Sequence, residues 1–324
     1  MNVRRRLIPA TAVTAATALG LGALSACSSD SAATGNTDKF DVVASFYPMA
    51  FLAEQIGGDH ANVTSLTEPG QEPHDLEIST KQRAQLEEAD AALYLKGLQP
   101  AVDEAVSQTG IKTKIDAATL TTLEDHGNTE HSHEGEKGHA EEEGHAEEEE
   151  HARDPHVWLD PVKYAEVAEG VGKAFEKADP DHAADYRKNT AALVEKLNGL
   201  NGDFENGLKN SRTKVFFTNH AAFGYLAERY GLTQEAISGL DPESEPSAAR
   251  VKELQQEAKA DGVTTVFYET LVSDKTAKTL ARDANLKTDV LDPLEGITDK
   301  SRGDDYFQVM EANLKALQTA LGAK

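Results

Sequence analysis

Residues 40–67 read FDVVASFYPMAFLAEQIGGDHANVTSLT, and how this stretch divides decides the fold. FDVVASF is apolar at nearly every position, the pattern of a strand buried on both faces. MAFLAEQIGG has helical character and stops on a glycine pair. ANVTSLT is a second strand. A helix between two strands brings them side by side in parallel, because a short turn cannot reverse the chain that way. The pattern continues downstream. After the turn-rich EPGQEPHD, Ser79 and Gln82 form a capping box opening the helix TKQRAQLEEA. DAALYLKG is a third strand, and PAVDEAVSQTG is a helix with proline at its start and glycine at its end.

The alternation resumes near Lys214. KVFFTN is a strand, AAFGYLAERYG a helix, and SAARVKELQQEAKADG a helix capped by Ser247. VTTVFYE and LKTDVL are strands. The final helix carries Phe307, Met310, Leu314, Leu317 and Leu321 on one face. Between the halves, Tyr186, Thr190, Leu193, Leu197, Leu200, Phe204 and Leu208 recur at helical spacing, in a helix of about 40 Å. Its glycines, Gly199, Gly202 and Gly207, weaken it toward the end. The predicted class is therefore α/β: two lobes with parallel sheets, joined by a long rigid helix, with a cleft between them. The boundaries are 40–179 for the N-terminal lobe, 180–210 for the linking helix and 211–324 for the C-terminal lobe.

The chain has 324 residues and a formal net charge of −24, which argues against nucleic acid or anionic lipid as the main partner and suits the handling of cations. Residues 1–26 read as an export signal: a basic start, MNVRRR, then an apolar stretch ending in small residues. That stretch is short for a spanning helix and contains Pro9. Cys27 is the single cysteine, so no intramolecular disulfide can form. Its setting, LSAC, resembles the lipobox of bacterial lipoproteins, which implies lipidation at Cys27. Residues 27–39 then serve as a flexible tether. The expected location is the outer face of the cell membrane, with the protein held by its lipid.

No GxxxxGK, GxGxxG, GxSxG or HExxH occurs, so nucleotide and covalent chemistry lack support. What remains are histidines in ordered surroundings. His74 follows the second strand, His220 follows KVFFTN, and His156 sits in DPHVWLDP. Each occupies a strand's carboxyl end or a helix entry, the rim where open α/β sheets bind ligands. Loops from two lobes could bring the three imidazoles together, and with a carboxylate they would suit tetrahedral Zn2+. Asp292 and Glu295 in VLDPLEGIT are candidates for the fourth position. Glu269, at the end of VFYE, is a further candidate or a structural acceptor. His60 and His182 read as solvated surface.

At these residues the chain resembles the metal-binding lipoproteins of bacterial ABC importers, the cluster A-I solute-binding family. PGQEPHDLE, DPHVWLDP, TNHAAFGYLAERYGL, SEPSAARVKEL and LDPLEG stand in the family's order, and the likeness covers almost the whole mature chain. It implies two lobes about a rigid helix with one metal between them, bound by His74, His156, His220 and a carboxylate of the DPLE loop, Glu295 in preference to Asp292. Some zinc-binding members use water in that fourth position. The manganese branch places glutamate where this chain has His220, and imidazole suits zinc better than oxygen donors do. The partner so implied is an ABC permease, the chain a monomer and the activity binding without catalysis. Manganese is the alternative metal. The alternative functions are a surface zinc buffer or adhesin, and a zinc hydrolase with Glu269 or Glu295 as base.

Residues 126–151, rich in histidine and glutamate, lack apolar periodicity and are expected to be disordered. His126, His131, His133, His139, His145 and His151 would act there as an auxiliary metal-collecting arm. Its chain connection to His156 raises the local metal concentration. Protonation of those imidazoles weakens capture below about pH 6.

Overall fold

The computed structural model describes residues 39–126 and 153–323. Cys27, the export signal and the arm histidines from His131 to His151 lie outside them. Strands β1 (Phe40–Ala44), β2 (Ala61–Ser65), β3 (Ala91–Tyr94) and β4 (Thr113–Asp116) alternate with helices α1 (Tyr47–Gly57), α2 (Thr80–Glu88) and α3 (Pro100–Gln108). Then come α4 (Pro161–Ala178) and the long α5 (Ala183–Leu208). The second half runs β5 (Val215–Thr218), α6 (Gly224–Arg229), β6 (Thr233–Ala236), α7 (Ala248–Ala260), β7 (Thr265–Tyr268), α8 (Lys275–Ala284), β8 (Lys287–Val290) and α9 (Tyr306–Leu321). Every strand pair is parallel, in the orders β2-β1-β3-β4 and β6-β5-β7-β8. The two sheets thus share one topology, with a change of direction beside β1 and beside β5 where ligands gather.

Local chemistry explains the ends of these elements. Ser79 and Gln82 form the full capping box of α2, and Ser247 accepts the Arg250 N–H at the start of α7. Asp160 caps α4 through the Val162 N–H. The sequence reading omits β4 and β6. Both are four-residue edge strands, TKID and TQEA, too short and polar to announce themselves. It also leaves α4 and α8 unassigned, and it draws α6 longer than the six residues found.

Successive residues of each central strand point to opposite faces. Val43 and Ala92 pack outward with α2 and α3, and Phe217 and Val266 pack outward with α7 and α8. The other faces, carrying Val42, Ala44, Phe216 and Phe267, turn inward and belong to a single apolar cluster that also takes in α1, α4, α5 and α9. Helix α5 has 26 residues, a span of roughly 39 Å. Its buried stripe of Tyr186, Leu193, Leu197, Leu200, Phe204 and Leu208 runs through this shared core. It packs on α1 and α4 and on α9, so it is a spine anchored in both halves. No helix among the described residues is long and apolar enough to cross a membrane.

Candidate metal centre

Four side chains converge where the two sheets' loops meet. His74 comes from the loop between β2 and α2, and His156 from the turn preceding α4. His220 stands just beyond β5, and Glu295 in the loop between β8 and α9. His156, His220 and Glu295 are fully buried, whereas the His74 side chain keeps 13% of its surface exposed and is the one member of the group that solvent touches.

The placement of each histidine has a local cause. Asp154 grips His156 twice with one oxygen, accepting its backbone N–H at 2.9 Å and its Nδ1–H at 2.7 Å. Glu269 does the same to His220, at 3.1 Å and 2.6 Å. Glu72 accepts the backbone N–H of His74 at 3.1 Å. A carboxylate can only accept, so Asp154 and Glu269 fix a proton of His156 and of His220 on Nδ1 and turn Nε2 inward as the atom that binds a metal once its own proton is given up. Glu295 is aimed by its predecessor: Leu294 adopts a positive φ of 58°, uncommon for a residue with a side chain, and its buried leucine holds that turn in the core. Trp158 donates Nε1–H to the Pro293 carbonyl at 2.7 Å, tying the turn of His156 to the loop of Glu295.

The inward atoms stand at a metal's spacing. Glu295 Oε1 lies 3.1 Å from His74 Nε2, 3.3 Å from His156 Nε2 and 3.3 Å from His220 Nε2. The two buried imidazoles approach at 3.3 Å between their Nε2 atoms. A tetrahedron with metal–nitrogen bonds of about 2.0–2.1 Å has edges of ~3.3 Å. The second oxygen of Glu295 is buried without a hydrogen-bond partner, an unsatisfied acceptor that a cation would satisfy. Electrostatics agree. Burial disfavours charge on His220, but Glu269 and Glu295 outweigh it and hold the imidazole pKa well above its ordinary value. At His156, burial is likewise outweighed by Asp154 and Glu295, and the pKa rises. Burial would raise Glu295, yet His220 and the other imidazoles hold it well below the usual carboxylate range. The cavity is thus built for positive charge.

Residues 42–320 match the family model of ZnuA, zinc-uptake complex component A, periplasmic. The chain belongs to the ZnuA family. It is 40% identical over 305 residues to the zinc-binding lipoprotein AdcA of Streptococcus pneumoniae, an alignment covering 91% of this chain and 58% of that protein. This ZnuA-family chain thus spans little more than half the length of that relative. It is also 35% identical over 321 residues to the high-affinity zinc uptake system protein ZnuA of Bacillus subtilis, covering 94% of this chain and 98% of that one. Among solved structures, the Zn(II)-bound ZnuA-like domain of S. pneumoniae AdcA aligns with a TM-score of 0.71 at 36% identity, over 87% of this chain and 99% of that domain.

Within this ZnuA-family fold the other candidate residues find different places. Asp292 stands outside the cluster and is occupied: it accepts from Leu294 N at 2.9 Å, Ser301 Oγ at 2.9 Å and Thr270 Oγ1 at 3.2 Å, shaping the loop that presents Glu295. Glu269 is an orienting partner of His220 rather than a member of the inner group. His60 and His182 stack on each other at 4.1 Å, each beside an aspartate, far from the inner group in role and partly exposed. His126 is not part of an unstructured arm. It is fixed by Asp154 and Glu228 at 2.9 and 3.0 Å and by the ring of Tyr225. Asp154 escaped the sequence reading as an orienting group, although its place two residues before His156 was the available signal.

Proposed function

We propose that this chain is the extracytoplasmic zinc receptor of an ABC-type importer, capturing Zn2+ and presenting it to the permease. In this reading His74, His156, His220 and Glu295 bind the ion. The chain is held at the membrane by lipid on Cys27, with residues 1–26 as export signal and 27–39 as tether. The lobes, 40–179 and 211–324, act as a monomeric clamp about the linking helix 180–210. The observation that carries the proposal is the convergence of four protein donor atoms within 4.8 Å of one another, three of them on fully buried side chains. A hydrolytic zinc keeps one position open for water, whereas four protein donors would fill the shell, which supports binding over turnover.

The test is metal analysis of the chain from residue 28 onward, with and without His74→Ala, His156→Ala and His220→Ala combined. The unsubstituted protein should hold one tight equivalent of zinc, and the triple variant should lose it. A strain lacking the protein should grow poorly under zinc limitation and recover only with the unsubstituted form. One equivalent of manganese in place of zinc, or ester hydrolysis abolished by His156→Ala, would overturn the proposal.

A further inference from the structure

A second constellation lies on the far side of Asp154. One oxygen of this buried carboxylate takes the Nδ1–H of His156 at 2.7 Å, and the other takes Nδ1 of His126 at 2.9 Å. One aspartate therefore orients two imidazoles in opposite directions, His156 toward the inner centre and His126 toward the surface. The His126 ring lies edge-on to Tyr225, with centroids 4.4 Å apart. It rests on Gly224 at the start of α6, where any Cβ would overlap the Cβ and ring of the imidazole. The fold has made room for His126 in particular.

Beyond the ring, Nε2 meets Glu228 Oε2 at 3.0 Å. One donor atom each from Glu124, His126 and Glu228 fall within 4.8 Å of one another. They line a surface cavity of about 630 Å³ with Ala227, Leu232 and Gln234. We infer that Glu124, His126 and Glu228 form a second, weaker site for a divalent transition-metal ion, oriented by the same aspartate that orients His156.

The chemistry resembles that of the inner centre in its outer support and differs in its donors. With its Nδ1–H committed to Asp154, His126 presents Nε2 to the cavity, the carboxylate–histidine–metal arrangement that fixes a ligating imidazole. Two carboxylates add oxygen donors, and water completes the shell. Loading exchanges the Nε2 proton for the metal. Burial lowers the basicity of His126, but Asp154 and Glu228 outweigh it, so that proton competes with the metal. Lys163 stands 2.7 Å from Glu124 Oε1 and 5.0 Å from the centre of the Tyr225 ring. Its like charge weakens the site further. The Glu228 side chain is 61% exposed, so ions can enter and leave without any movement of the lobes. The inner centre, closed except at His74, lacks that freedom. The second site goes beyond the receptor proposal and does not depend on it.

The experiment removes the arm's own ligands first. In a protein with His131, His133, His139, His145 and His151 all replaced by Ala, equilibrium dialysis against buffered zinc should give a tight equivalent and a second, weaker one. Glu228→Gln, an exposed change that leaves the core intact, should abolish the second while sparing the first. His126→Ala should do the same, and Gly224→Ala should also abolish the second by displacing the imidazole. His156→Ala reports the tight equivalent separately, so failure at either centre is read without reference to the other. The inference is overturned if the arm-silenced protein binds one equivalent, or if a second survives Glu228→Gln and His126→Ala. In that event His126 is a protonated pin between Asp154 and Glu228.

Discussion

Asp154 and Glu269 perform one task in two lobes: a single oxygen clamps a histidine's backbone N–H and its Nδ1–H together. The clamp sets the backbone position, the tautomer and the ring's direction at once. Replacing Glu269 by Gln keeps the shape but removes the charge that supports the ligand, and should weaken zinc binding by about 10–100-fold. Competition with a zinc-chelating dye measures this, and an unchanged affinity would deny Glu269 its orienting role. The inner imidazoles also fix the direction of the pH dependence. Burial opposes protonation of His156 and His220, but their carboxylate neighbours prevail and raise both pKa values. A raised pKa means that protons compete with metal to higher pH, so affinity should fall with acidification starting above the ordinary imidazole pKa of about 6.5. Zinc titrations in a pH series give the profile, and an affinity independent of pH through the neutral range would contradict it.

Among the elements, the contact of α4 with α5 depends on a missing side chain. A Cβ on Gly172 would overlap Thr190 of α5. Gly172→Ala should therefore force the helices apart and destabilise the protein by about 1–3 kcal/mol, a loss readable in denaturant unfolding. A neutral or stabilising substitution would mean that Thr190 yields freely. This contact also explains what the sequence conceals. Gly170 and Gly172 interrupt the helical character of α4, yet a Cβ at either would run into a neighbour, Leu120 or Thr190. Strands β4 and β6 are hidden for another reason. TKID and TQEA are short and mostly polar, so they carry no burial pattern of their own and their partners β3 and β5 supply the order. The other two edge strands, β2 and β8, stand in stretches apolar enough to be read. The central strands, α2, α7, α9 and the core stripe of α5 were legible because each carries its own burial pattern or cap.

At the scale of the molecule, the inner faces of both sheets empty into one apolar core threaded by α5. Lobes that share a core do not unfold independently. Calorimetry of the metal-free protein should show one cooperative transition, and two separated transitions would refute the shared core. Zinc that binds only the folded chain should raise the midpoint in step with its free concentration, and a chelator should reverse the shift. The same continuity limits how the inner site can open. With Trp158 bonded to the Pro293 carbonyl and Tyr306 to the Trp158 carbonyl at 2.6 Å, the slightly exposed route past His74 is the least constrained path for the ion.

The sequence by itself determined the alternation of strands and helices, the spine between two halves, and His74, His156 and His220 as the residues worth joining. Periodicity, caps and loop position are local properties, written in neighbouring residues. Tertiary structure decided what depends on distance. It chose Glu295 over Asp292, since only the turn at Leu294 settles which carboxylate faces inward. It assigned Glu269 and Asp154 their outer roles, and it placed His126 on a bare glycine a hundred residues away. Such choices arise from contacts between segments remote in the chain, and a carboxylate's partners are not encoded in its neighbours.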